Sequence, residues 1–339
     1  MKILTKAPCR VDLAGGTLDI WPLYLYHANA VTVNFAVDRY ATCALEIRPD
    51  AKIVLRSRDW NAEETFEDLK ALRQATHYKL PLLAHVVKFF APPVGINLFT
   101  DCEAPAGAGI SGSSTLIIAI ASALNRLTGA GYGPEKLREV AQNIEAQILR
   151  VPTGAQDYYP ALYGGVSAIE LTAAGIVRKA IPVDLGDLNE RIALAYTGRP
   201  RNSGINNWEV TKAHIDGNLK VRRNFDRIAA IAHAMRGALE QADWYTAGQL
   251  LREEWSNRRK NAPGISTPGI DRLIASAGKA GALGAKVCGA GGGGCVIFLV
   301  APGAKEAVHQ LIEEQGSKPL HVKVVPRGVE IKQVDASSA

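Results

Sequence analysis

Ten residues near the end of the first third of the chain constrain the fold more than any other stretch: Pro105-Ala106-Gly107-Ala108-Gly109-Ile110-Ser111-Gly112-Ser113-Ser114. A segment with strand character, residues 94–100, runs into them. A helix over 113–128, apolar nearly all round, runs out and stops at Gly129. A helix apolar on every side has to be buried, and a glycine just past its end is a common C-cap. Glycines let the turn bring several backbone N–H groups close to a ligand. The helix start adds unsatisfied N–H groups and the positive end of its dipole. The segment is therefore an anion cradle or a tight strand-to-helix turn with serine caps, and on its own it leaves both open. Gly107-x-Gly109-x-x-Gly112 has the spacing of a dinucleotide fingerprint, but that motif needs a second strand ending in an acid. Here the helix leads through Gly129–Gly133 into another helix. A Walker A loop needs Lys where Ser113 stands.

Two carboxylates follow. The helix predicted over 134–150 has Pro134 in its first turn and an apolar stripe at Leu137, Val140, Ala141, Ile144 and Ile148. Glu145 sits on the edge of that stripe, where a carboxylate is costly unless hydrogen bonds or a cation compensate it. Asp157 lies in Thr153-Gly154-Ala155-Gln156-Asp157-Tyr158-Tyr159-Pro160, a loop entering a short helix and backed by Gly164-Gly165. Alone, Glu145 reads equally as an ion-pair partner and Asp157 as an N-cap. Together with the cradle they supply the parts of phosphoryl transfer: a phosphate seat, a metal ligand and a group to orient the attacking hydroxyl.

Around this centre the chain is β-rich first and helical later. Strands are expected over 2–13, 31–37, 41–47 and 52–56, and a helix over 80–90. A hairpin signal at Ala173-Ala174-Gly175 precedes a strand at 191–196 and helices at 224–241, 243–258 and 269–277. A second glycine run, Gly289–Gly294, opens into a strand at 295–300. The 339 residues suffice for two domains, expected at 1–190 and 191–332, with 333–339 as a disordered tail. The formal charge of +6 is spread along the chain, and its one dense basic cluster, 220–227, is short and helical. No nucleic-acid partner is expected from that pattern, whereas a basic surface fits an anionic small substrate. Five scattered cysteines with no CxxC pairing point to a reducing compartment. Without a signal-like core or a membrane-length apolar run, the expected location is the cytoplasm, with no membrane partner.

Three segments together resemble the three motifs of the GHMP kinases. Ala7-Pro8-Cys9-Arg10-Val11-Asp12-Leu13-Ala14-Gly15-Gly16-Thr17-Leu18-Asp19 is similar to the first, and the cradle to the second. Lys286-Val287-Cys288-Gly289-Ala290-Gly291-Gly292-Gly293-Gly294 is similar to the third. The opening, the Gly154-x-Gln156-Asp157-x-Tyr159 block and the third motif are most similar to bacterial sugar 1-kinases such as D-glycero-D-manno-heptose 7-phosphate kinases. The resemblance implies an α+β fold with an N-terminal domain like ribosomal protein S5 domain 2 and a ferredoxin-like C-terminal domain, ATP lying between them. It implies Asp157 and Arg10 as catalytic residues. Gly107, Ala108, Gly109, Ile110, Ser111, Gly112, Ser113 and Ser114 would bind nucleotide, and Ser113 and Glu145 Mg²⁺. Asp19, with Gly16 and Thr17 beside it, would bind the sugar, with Asp157, Gly291 and Gly292 facing the same substrate. Arg199 and Arg201 read either as solvated loop residues or as partners for a distal phosphate.

Two positions depart from the pattern. Gly112 stands where the family usually has a serine, and Tyr196–Ser203 differs from that branch. The expected activity is transfer of the γ-phosphoryl of ATP to the C1 hydroxyl of a heptose 7-phosphate-like sugar phosphate, by a monomer or homodimer. A kinase for a free sugar such as L-fucose, and a non-catalytic sugar and ATP sensor, are the alternatives.

Overall fold

Long alternating segments at Lys2–Ala14 (β1) and Val31–Ile47 (β2) pair antiparallel and form the spine of the first sheet. The computed structural model describes residues 1–198 and 203–334. Ile53–Ser57 (β3), Ala62–Phe66 (β4), Leu69–Gln74 (α1), Pro81–Phe90 (α2) and Ile96–Cys102 (β5) follow. Next come Gly112–Thr128 (α3), Pro134–Leu149 (α4), Tyr158–Tyr163 (α5), Val166–Thr172 (β6), Gly175–Ala180 (β7) and Leu185–Arg191 (α6). Ile192–Tyr196 (β8) begins the second sheet. It is followed by Ser203–Ile215 (α7), Leu219–Glu240 (α8), Trp244–Arg258 (α9) and Pro268–Lys279 (α10). Ala282–Val287 (β9), Cys295–Val300 (β10), Lys305–Glu314 (α11), Lys318–Pro319 (β11) and Glu330–Val334 (β12) complete the chain.

The first sheet runs β12-β1-β2-β5-β3-β4, with β6 and β7 extending from the other part of β2. Among the described residues only β3 and β5 are parallel within it. The second sheet, β11-β8-β10-β9, is antiparallel. With helices packed on both sheets, the fold is α+β. Among the described residues no helix is long and apolar enough to cross a membrane.

Two sequence expectations change. The strands expected at 31–37 and 41–47 are one strand, β2. Its register against β1 jumps from Tyr40 at Pro8 to Val37 at Cys9, so the polar interruption is a β-bulge, not a turn. The expected tail also starts too early. Gln333 and Val334 belong to β12 and pair with Ile3 and Lys2, while residues 335–339 lie outside the described residues. The side chains of β12 are mostly exposed, so it is held by backbone bonds and leaves little apolar pattern to read.

Helix α3 is buried from Ser114 to Leu124, as an all-apolar helix must be. A second core joins the two sheets: Val11, Leu13, Val33 and Phe35 pack with Leu194, Met235, Leu251 and Ile297. That contact brings the end of β1 and the start of α3 against β9 and β10.

Truncation after Val329 removes β12 and bares the edge of β1. The loss should be about 1–2 kcal/mol, read calorimetrically as a midpoint lowered by roughly 1–3 °C, with ATP affinity unchanged. An unaltered midpoint would show that the strand contributes nothing to stability.

Candidate active site

The turn ahead of α3 is built as its composition requires. Gly107 and Gly109 adopt positive φ, and so does Ser111, the residue that caps α3. The Ser111 hydroxyl makes no cap bond, so the first N–H groups of α3 are not taken up by a side chain. The family departure at Gly112 falls in a tight place: a Cβ there would lie 3.1 Å from the Cβ of Ala104 and 3.3 Å from the Sγ of Cys102.

One turn of α3 faces Glu145 on α4. Ser113 Oγ donates to Oε1 at 2.5 Å, while Ser114 Oγ and Tyr158 OH donate to Oε2 at 2.7 and 2.6 Å. The carboxyl is buried, and that burial raises its pKa, partly offset by the three hydroxyls. Ser114 is buried, whereas Ser113 is exposed.

Arg10, on β1, joins the cradle to Asp157. Its Nη1 donates to Gly109 O at 3.0 Å; its Nε and Nη2 donate to Asp157 Oδ1 at 2.9 and 2.5 Å. Asp157 occupies the N-cap slot of α5 but makes no side-chain cap bond. The N-cap reading of that residue is therefore dropped. Its side chain is 30% exposed while that of Arg10 is 3% exposed, so the pair is buried at one end and open at the other.

Behind Arg10 lies Asp12, a residue that sequence reasoning left without a role. Its Oδ1 accepts from Arg10 Nη1 at 2.8 Å and from Gly289 N at 2.9 Å, and Lys286 Nζ binds Oδ2. Burial pushes this carboxyl up, but Lys286, Arg10 and Arg258 outweigh it and hold the pKa well below the usual range. Two signals were available. Asp12 is two residues from Arg10 on a strand and so shares its face. Lys286 is a charge within a buried strand.

Asp19 is placed differently. Its Oδ2 accepts from Gln156 N at 2.8 Å, and a Cβ at Gly154 would fall 2.1 Å from that oxygen. Burial first, and then the nearby Asp157, push its pKa up to about 6. Gly16 and Thr17, three and two residues earlier, are held by Arg258 of α9, again unforeseen.

The third glycine run meets the cradle through its last residue and the one that follows. Cys295 N donates to Ala108 O at 2.7 Å, and at Gly294 a Cβ would sit 2.6 Å from Ala108 O. Gly291 and Gly292 pack against Ile265 instead, with Gly292 N donating to Ile265 O at 2.8 Å. Arg199 and Arg201 lie outside the described residues.

Residues 74–165, which carry the cradle, Glu145 and Asp157, match the family model of the GHMP kinases N terminal domain. Residues 235–318, which carry Arg258 and Lys286, match that of the GHMP kinases C terminal. The chain belongs to the GHMP kinase family. It is accordingly an ATP-dependent phosphotransferase with an alcohol group as acceptor. It is 29% identical over 325 residues to a D-glycero-alpha-D-manno-heptose 7-phosphate kinase of Campylobacter jejuni, covering 93% of this chain and 94% of that one. It is 27% identical to an L-fucokinase/L-fucose-1-P guanylyltransferase of Bacteroides fragilis, with 93% of this chain matching 36% of the longer protein. Its fold is similar to the crystal structure of Lactococcus lactis galactokinase complexed with galactose, with a TM-score of 0.79 at 21% identity over 97% of this chain and 95% of that one.

The raised pKa of Asp19 carries a stability consequence. A carboxyl at 3.8 when unfolded and about 6 when folded favours the fold while protonated. That stability is fully present below 3.8 and is lost as pH rises through about 6. Asp19→Asn should therefore stabilise the protein at pH 7.5 by on the order of 1–3 kcal/mol, with the gain fading towards pH 4. Thermal melts across that range check it, and a destabilised variant at pH 7.5 would contradict the burial argument.

Proposed function

We propose that the chain transfers the γ-phosphoryl of ATP to the anomeric C1 hydroxyl of a heptose 7-phosphate-like sugar phosphate. The observation that carries this reading is the double contact of Arg10, whose guanidinium touches both the phosphate cradle at Gly109 and the open carboxylate Asp157. Similarity to a heptose 7-phosphate kinase over nearly the whole of both chains supports the sugar class.

In this reading Gly107–Ser114 seat the ATP phosphates on backbone N–H groups at the start of α3. The bonds to Asp157, Asp12 and Gly109 use four of the five N–H donors of Arg10. One on Nη2 is left for the charge that builds on the transferred phosphoryl. With Oδ1 fixed by Arg10, Asp157 offers Oδ2 to the proton of the attacking hydroxyl. Asp19 accepts hydrogen bonds from other hydroxyls of the sugar, and Arg199 and Arg201 are the proposed partners of its distal phosphate.

Ser113 and Glu145 fit Mg²⁺: an exposed hydroxyl and a carboxylate give adjacent hard oxygen donors, and Mg²⁺ commonly takes one or two protein ligands beside phosphate oxygens. Among the described residues no three His, Cys, Asp or Glu gather around one point, which such a site does not require. When bound, the ion would neutralise phosphate charge.

A free sugar acceptor is the second reading, favoured by the similarity to an L-fucokinase. ADP release measured with D-glycero-D-manno-heptose 7-phosphate, the unphosphorylated heptose and L-fucose separates the two, with NMR of the product locating the new phosphate. Equal turnover of the heptose and its 7-phosphate would count against the first.

Asp157→Asn keeps size and most hydrogen bonds but removes the proton acceptor. Its kcat should fall by about two to four orders of magnitude, while MgATP affinity measured by calorimetry stays close to native. A native-like kcat would remove Asp157 from the chemistry.

A further inference from the structure

Arg258 is 3% exposed and Glu254, one turn earlier on α9, is fully buried. Arg258 Nε donates to Glu254 Oε1 at 2.8 Å, and Nη2 contacts the same oxygen. The rest of the guanidinium leaves its own half of the molecule. Nη2 donates to Gly16 O at 2.7 Å and Nη1 to Thr17 Oγ1 at 3.1 Å.

The turn it grips is strained. Gly15 has φ 80° and Thr17 φ 72°. A β-branched residue in that region is an outlier that persists only where its surroundings fix it. Leu18 N bonds back to Gly15 O and Ile20 N to Thr17 O, so the turn is two tight loops with Asp19 inside the second. There is no slack around Gly16: a Cβ there would lie 3.0 Å from Gln156 Nε2, 3.2 Å from Asp12 Oδ2 and 3.4 Å from Arg258 Nη2.

We infer that Arg258 is a positioning residue for the sugar acceptor: by holding Gly16 and the strained Thr17 from α9, it fixes the turn that aims Asp19 into the site. This rests on the proposed role of Asp19 in binding the sugar. Arg258 touches no reacting group in that scheme, and neither does Glu254, whose second oxygen, Oε2, is buried without a partner. A buried pair with an unpartnered oxygen is weak as a source of stability, whereas forked donation to the Gly16 carbonyl and the Thr17 hydroxyl specifies a conformation.

The test is steady-state kinetics with ATP and D-glycero-D-manno-heptose 7-phosphate, comparing Arg258→Lys, Glu254→Gln and Asp19→Asn. Lysine keeps the charge but cannot bridge Gly16 and Thr17. It should raise KM for the sugar phosphate about tenfold, the equivalent of one charge-assisted hydrogen bond. KM for ATP should change by less than about twofold, since the cradle does not depend on this turn. Glu254→Gln leaves every residue of the site in place and loosens only the anchor of Arg258, so it should shift the same constant in the same direction by a smaller factor. In the double variant the two effects should be clearly less than additive.

If both variants fold and lower only the melting temperature, with the sugar KM unmoved, Arg258 is structural and the inference fails. A parallel rise in KM for ATP overturns it as well. If Arg258→Lys does not fold, Glu254→Gln alone decides by the same criterion. Asp19→Asn separates the two levels: a native sugar KM in that variant removes the proposed role of Asp19 itself. A raised KM there beside a native one in Arg258→Lys and Glu254→Gln removes only the role of Arg258.

Discussion

The site is organised around one buried carboxylate, Asp12. Two cations and a backbone N–H converge on it: Arg10 from its own strand, Lys286 from β9 and Gly289 from the turn that follows β9. Charges therefore alternate from the open cleft inward as Asp157, Arg10, Asp12 and Lys286. Removing one partner of such a buried pair costs about 3–5 kcal/mol because the other is left uncompensated. The arrangement is thus strongly cooperative: Arg10 can present one edge to Asp157 because its other edge is anchored, and Asp12 can stay charged in the interior because the second sheet supplies Lys286. The contact also fixes the distance between the sheets, and with it the approach of Cys295 to the cradle.

What was legible in the sequence is what depends on local chemistry. The cradle could be read because its glycines, its serines and the apolar helix behind it are contiguous and each has a physical reason to be there. Glu145 stood out as a charge on an apolar stripe, and its burial beside three hydroxyls matches that conflict. Asp157 could be placed near the cradle only by combining features, and the bond through Arg10 could not be read at all. The roles of Asp12, Lys286 and Arg258 come from pairings between residues more than 200 positions apart, which no window of sequence displays. The β2 bulge and β12 were missed for the opposite reason. Both are backbone phenomena whose side chains carry a weak pattern. The third glycine run was legible as a motif, but that Gly294 and Cys295 are the residues meeting the cradle was not.

Asp12 and Asp19 lie seven residues apart, are equally buried, and titrate in opposite directions. The difference is one of company. Asp12 has two cations in direct contact, whereas at Asp19 backbone N–H groups and the more distant Arg10 are outweighed by burial and the like charge of Asp157. A carboxylate already satisfied gains little from a ligand and serves the framework. One left short of donors is costly in the free protein and is relieved by hydroxyls that bring donors to it. Glu145 follows the same rule in a milder form, since its three hydroxyl donors do not fully offset its burial. The groups left under-compensated, Asp19 and Glu145, both lie close enough to Asp157 to feel its charge. In the proposed reading, that unmet electrostatic demand falls where substrate hydroxyls and a metal ion would bring compensation to it.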